Sequence, residues 1–163
     1  MMTESTPSPE TLDAYFRPAV DATLAGMREG TGGPFGATLV NPEGEIVVAV
    51  GNTVIRDTDI SGHAEMVAVR EACRKLNTLD LSGHVMYATC EPCPMCVGVM
   101  MWAGITTCYY ASTHVDAGEN GFSDVHLRRY LDGSDTSTLD MIHLDSGRED
   151  CASIWTEFQS LTS

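Results

Sequence analysis

Cys93 and Cys96 flank Pro94 and Met95 in the stretch T-C-E-P-C-P-M-C-V-G, residues 89 to 98. A thiol pair at this spacing either holds a metal or cycles as a redox couple. The redox reading asks for a position just after the first strand of a thioredoxin-like unit, whereas this pair lies mid-chain with a proline on each side of Cys93. A closed structural zinc site would need a second ligand pair at similar spacing. Apart from Cys90-x-x-Cys93, which shares Cys93 with the pair, the chain offers no further C-x-x-C and no H-x-x-x-H. Cys73, Cys90, Cys108 and Cys151 sit in apolar surroundings and read as packed thiols. The remaining ligand is expected upstream, at His63 in Gly62-His63-Ala64-Glu65. Three protein ligands leave a fourth position open, the mark of a catalytic zinc. Zinc in such a site lowers the pKa of a bound water enough to give hydroxide near neutral pH. Glu65, two residues past His63, is placed to move a proton between that water and a leaving group without binding the metal.

These groups must be positioned by elements that the sequence also announces. Residues 1–9 are rich in Ser, Thr and Pro and read as a disordered lead-in to a single domain over 10–163. Leu12, Phe16, Ala19, Val20, Leu24 and Met27 recur at helical spacing, so 10–29 is expected to be an amphipathic helix despite Pro18. The apolar runs 35–41 and 45–50 flank Asn-Pro-Glu-Gly and predict a β-hairpin. From His63 onward the pattern is helix (63–76), strand (84–89), helix (94–103) and strand (105–111), with 57–62 as loop. That alternation predicts an α/β sandwich with parallel strands. Further on, a helix is expected over 122–131, a strand over 139–144 and a closing helix over 148–161. In such a sandwich, helix N-termini collect at the C-terminal edge of the strands, which would bring His63 and Cys93 together.

Composition limits the partners. The net charge is −14 and Lys75 is the only lysine. Nucleic-acid binding depends on neutralising phosphates with Lys and Arg, so a polyanionic partner is disfavoured, as is an anionic membrane. No apolar run approaches a membrane span, and the polar, acidic N-terminus lacks the features of a secretory signal. A cytoplasmic location, with reduced thiols, is the expectation.

H-x-E together with P-C-x-x-C is the pattern of zinc-dependent deaminases that act on bases. The chain resembles the cytidine-deaminase-like superfamily and, within it, bacterial guanine deaminases. The resemblance runs from about Glu10 to Phe158 and rests on G-G-P-F-G-A (32–37), H-A-E (63–65), C-E-P-C-P-M-C (90–96), M-W-A-G (101–104) and H-V-D-A-G-E-N-G-F-S-D (114–124). It implies a three-layer α/β/α sandwich around a mixed five-stranded sheet, a homodimer with exchanged C-terminal segments, and hydrolysis of guanine to xanthine and ammonia. By position it implies that His63, Cys93 and Cys96 hold one zinc per chain, that Glu65 shuttles protons, that Asn52 hydrogen-bonds the purine, and that Asp124 contacts the exocyclic amine and helps move a proton. Ala64, Phe35 and Trp102 are counted as further substrate contacts. By residue type alone, Asn52 after Gly51 also fits turn chemistry, Asp124 fits a helix cap, and Phe35 and Trp102 fit core packing.

The chain departs from the family at three places. It reads D-I-S-G-H-A-E where P-T-A-H-A-E is usual, so Gly62 lacks a methyl that is expected close to the metal. It ends Ser-Leu-Thr-Ser without a terminal aromatic, Trp155 and Phe158 being the nearest. The loop 132–138 is short and polar. Guanosine, cytosine or an aminotriazine such as ammeline are the alternative substrates. A non-catalytic zinc-binding module is the alternative of a different class, and tRNA adenosine deaminases share the zinc motifs.

Overall fold

The computed structural model describes residues 7–162. The contact pattern divides the chain after Val125 into two compact units. Most of the expected lead-in, residues 1–6, lies outside the described residues.

The first unit opens with α1 (Pro9–Glu29). Ser8 caps it by accepting the Thr11 amide at 3.2 Å, and Pro9 takes the first helical position, where a missing N–H costs nothing. The Gly30 and Thr31 amides close its last turn on the Met27 and Gly26 carbonyls. The hairpin follows as β1 (Gly36–Val40) and β2 (Ile46–Gly51), joined by a turn in which the Asn41 side chain bonds Glu45. Next come a short α2 (Val54–Asp57), α3 (Ala64–Leu76), β3 (Val85–Cys90), α4 (Pro94–Trp102), β4 (Thr107–Ser112) and α5 (His114–Glu119). The sheet order is β2-β1-β3-β4, with β1 antiparallel to both β2 and β3, and β3 parallel to β4 across the α4 crossover.

Strand register sorts the sheet into two faces. Thr38, Tyr87 and Tyr109 form one cross-strand row, and Leu39, Met86 and Cys108 form the next. The first row meets α1. Tyr15 and Phe16 pack on the Tyr87 ring at 4.8 and 5.6 Å, and Tyr87 stacks on Tyr109 at 5.3 Å. The second row joins Ala64, Ala68, Ala72 and Met100 in the main core. Alanines at every fourth position of α3 let that helix lie close on the sheet. The three layers are thus α1, the sheet, and α3 with α4, the α/β/α sandwich that the resemblance implies.

Two expectations are corrected. The sheet has four strands among the described residues, not five, because residues 139–144 form no strand. Their apolar side chains Leu139, Met141, Ile142 and Leu144 are exposed. A strand exists only where a partner edge accepts its backbone, and none is paired with this segment. The helices α2 and α5 were not expected from the sequence. The second unit holds α6, which begins at Val125 and ends at Asp132, a 3-10 turn at Asp145–Gly147, and α7 (Arg148–Thr162). Among the described residues no helix is long and apolar enough to cross a membrane.

On β2, an edge strand, the Lys75 ammonium from α3 donates to the Val47 carbonyl at 2.9 Å. One carbonyl of that open edge is thereby occupied.

Candidate metal centre

Register places one rim of the sheet beneath the site. Gly36 pairs with Gly51 and Ala37 with Ala88, so the start of β1 lies beside the ends of β2 and β3. Cys90 pairs with Ser112, which adds the end of β4. His63 is the N-cap residue of α3, with φ −61° and ψ 148°. Cys93 is the N-cap residue of α4, with φ −71° and ψ 165°, and Cys96 lies in the first turn of that helix. The two helix starts meet as the sequence predicts.

The donor atoms form a near-equilateral triangle. His63 Nδ1 is 3.5 Å from Cys93 Sγ and 3.6 Å from Cys96 Sγ, and the sulfurs are 3.7 Å apart. Zinc in tetrahedral coordination has Zn–S of about 2.3 Å and Zn–N of about 2.0–2.1 Å, which requires edges of about 3.8 Å between sulfurs and about 3.6 Å from sulfur to nitrogen. The triangle therefore fits zinc without rearrangement. Two thiolates and one imidazole are also the donor chemistry that zinc prefers. His63 stands as near to each sulfur as the sulfurs stand to one another, a placement that a redox couple has no use for. Among the described residues this is the group of His, Cys, Asp and Glu side chains close enough to hold an ion.

The electrostatics suit a cation. Cys93 is pulled down to about 4, first by its hydrogen bond with Cys96 and then by His63, which favours the thiolate at neutral pH. The contact with Cys93 and burial push the Cys96 thiol upward, and its proton, directed at Glu65, is the one a metal would displace. The Cys93 sulfur in turn raises His63, against its burial. Glu65 is 7% exposed and accepts from Cys96 Sγ at 3.4 Å. Burial pushes its carboxyl upward from the ordinary carboxylate range.

Asn52 follows the end of β2 and is gripped from three sides. Its Oδ1 accepts the Val54 amide at 3.0 Å and the Gly33 amide at 3.4 Å, and its own amide donates to the Phe35 carbonyl at 2.9 Å. Both groups facing Oδ1 are donors, which fixes the orientation of the side-chain amide and leaves Nδ2 as its outward donor. A Cβ on Gly32 would overlap the Asn52 carbonyl, so only glycine permits this approach. Gly62 also needs correction. A Cβ there would meet Asp59 O and Thr53 Oγ1 at 3.0 Å and Val54 N at 3.1 Å, so the missing methyl faces the segment around α2, not the metal.

Ala64 begins α3 and is fully buried beside His63. Phe35 is half-buried and meets Phe122 edge-on, with centroids 5.1 Å apart. Asp124 directly precedes α6. Trp102 is not brought to the cluster. It is the last residue of α4, about 9 Å along the helix axis from Cys96, and is 91% exposed. An apolar ring near a cysteine motif in sequence is on the wrong turn of the helix to share its site.

Reasoning from sequence missed Gly32, Glu91 and His114. Glu91 Oε2 accepts both the His114 amide (3.0 Å) and His114 Nδ1 (2.8 Å). A signal was present in T-H-V-D, residues 113–116. Thr113 and Asp116 form a reciprocal capping box that starts α5.

Residues 9–112 match the family described as the cytidine and deoxycytidylate deaminase zinc-binding region. The chain is 38% identical over 120 residues to a guanine deaminase from Bacillus subtilis, covering 74% of this chain and 76% of that one. The X-ray structure of guanine deaminase from Bacillus subtilis superposes with a TM-score of 0.77 at 33% identity, over 89% of this chain and 93% of that chain. A tRNA-specific adenosine deaminase from Buchnera aphidicola is 31% identical over 125 residues, 77% of this chain and 79% of that one.

Proposed function

The chain belongs to the cytidine and deoxycytidylate deaminase zinc-binding family and is a zinc-dependent hydrolytic deaminase; on that premise we propose that its substrate is guanine, which water converts to xanthine and ammonia. The observation that carries the substrate is the likeness to guanine deaminase over most of the chain in both sequence and structure.

The residues divide the work as follows. His63, Cys93 and Cys96 would hold the zinc, which when bound supplies the Lewis acidity that makes water a nucleophile near neutral pH. Glu65 takes the proton that water loses as oxygen bonds to the ring carbon bearing the amine. It hands that proton to the adjacent ring nitrogen, and a second transfer lets ammonia leave. A carboxyl whose affinity for protons is raised by burial suits a group that must both accept and give. Asn52 offers Nδ2 to an acceptor on the ring rim, since its Oδ1 is committed to the backbone. The Ala64 amide belongs to the first turn of α3, where amides have no partner within the helix, and can donate likewise. Asp124 accepts from the amine on the ring. Phe35 supplies one apolar edge for a flat base.

A free base is favoured over tRNA by the −14 charge and the single lysine, which oppose a phosphate backbone. Residues 10–163 would then serve one deaminase function, in a homodimer in the cytoplasm, where its free cysteines stay reduced.

The test is ammonia release from guanine, guanosine, cytosine, cytidine, adenine, adenosine and ammeline by zinc-loaded protein beside Glu65→Gln. Release from guanine alone, lost by several orders of magnitude in a variant that keeps its zinc, is the expected result. Faster release from another amine would replace guanine. Near-normal turnover by Glu65→Gln would remove Glu65 from the mechanism.

A further inference from the structure

The segment 114–124 is tied to the metal loop by contacts that the reaction scheme does not use. Glu91 lies between Cys90, the last residue of β3, and Cys93. Its carboxylate accepts two hydrogen bonds from one residue, His114, at 3.0 Å from the amide and 2.8 Å from the ring. The ring bond runs from Nδ1–H to the carboxylate when His114 carries its proton on that nitrogen. The Glu91 amide donates to the Ser112 carbonyl at 2.8 Å, and the Cys90 thiol reaches the Thr113 carbonyl at 3.5 Å. The loop leading to Cys93 thus grips the chain just before and at the start of α5.

From that grip onward the segment is braced within itself. Thr113 and Asp116 exchange hydrogen bonds in their capping box. Asn120 Nδ2 donates to the Asp116 carbonyl at 2.8 Å, and the Phe122 amide donates to the Ala117 carbonyl at 2.9 Å. The Phe122 ring then meets Phe35, whose carbonyl holds Asn52. Asp124 is two residues further on. A shift at His114 therefore passes to Asp124 along a stiff path.

We propose that Glu91 is a positioning residue: its carboxylate locks segment 114–124 to the loop bearing Cys93 and so sets where Asp124 meets the substrate. This rests on the reading of Asp124 as a substrate contact. Misplacement of a reacting group by about 1 Å can cost about 100-fold in rate, so the lock has leverage although it touches no substrate.

A double-mutant cycle on the zinc-loaded full chain tests it. Glu91→Ala lowers kcat/KM for guanine about 10–100-fold while zinc content and melting temperature hold. Glu91→Gln recovers most of the loss, because its carbonyl oxygen still accepts from His114. In the Asp124→Asn background, Glu91→Ala costs less than about threefold, since the group it positions is already disabled. Losses of equal size in both backgrounds, or zinc lost in step with activity, would overturn the proposal. Should Glu91→Ala not fold, His114→Phe removes the ring donor from the other side and must show the same coupling. Full activity in Asp124→Asn alone would bring down the underlying reading of Asp124 before Glu91 is touched, and this inference with it.

Discussion

Four thiols compete for attention beside the metal pair, and their surroundings tell them apart. Burial pushes Cys108 up to about 12, and burial likewise raises Cys90. Cys151 is exposed. Cys93 alone is depressed, to about 4, and becomes a reactive thiolate when its metal is withdrawn. Titration of the zinc-loaded protein with a thiol reagent should modify Cys151 first, and a chelator should add Cys93. A chelator that changes nothing would argue against zinc at these sulfurs. Removal of one ligand is expected to be more severe than removal of the proton carrier. Cys96→Ser should cost at least tenfold in zinc affinity, read by competition with a chromophoric chelator, whereas Glu65→Gln should leave affinity nearly intact.

At the scale of elements, the local signals were legible and the non-local ones were not. The span of α1 follows from its apolar spacing and its Ser-Pro start, and α3, β3, α4 and β4 fall within a residue or two of expectation. The zinc ligands were readable because two helix starts carry them. The strand expected over 139–144 failed because a short apolar run states only that a strand is possible, while a partner edge decides. Trp102 failed because linear nearness to Cys96 says nothing of helix phase. Gly32 failed because its importance lies in Asn52, twenty residues away. That last point predicts a contrast between neighbours. Gly32→Ala should destabilise by about 1–3 kcal/mol in urea unfolding, since the methyl must displace backbone. Gly33→Ala, whose Cβ would meet only Phe35 at 3.9 Å, should stay within about 0.5 kcal/mol. Equal costs would mean that the Asn52 approach is not what constrains this loop.

For the whole molecule, charge and exposed apolar surface point in different directions. The −14 charge predicts no measurable retention of tRNA on filters even at about 50 mM salt, where electrostatic binding is strongest. Retention there would reopen the tRNA reading raised by the 31% identity to an adenosine deaminase. Ile154, Phe158 and Leu161 share one face of α7 and are all largely exposed, with Trp155 beside them. The proposed homodimer predicts twice the chain mass in sedimentation equilibrium, and Phe158→Asp tests whether this face of α7 contributes to it by shifting the mass towards the monomer.

The metal triangle also has a history in time. His63 and Cys96 lie 33 residues apart in the chain, and β3 is built between them. At a synthesis rate of about 5–20 residues per second, His63 leaves the ribosome about 2–7 s before its last partner. The two cysteines, three residues apart, need no sheet to meet; the histidine joins them only when β3 is in place beside β1. This order predicts ion capture in two stages, a local grasp by the thiols followed by closure through the fold. The final tight affinity serves as a clock for the completion of this sheet, and stopped-flow zinc uptake during refolding should show a slow phase that His63→Ala abolishes.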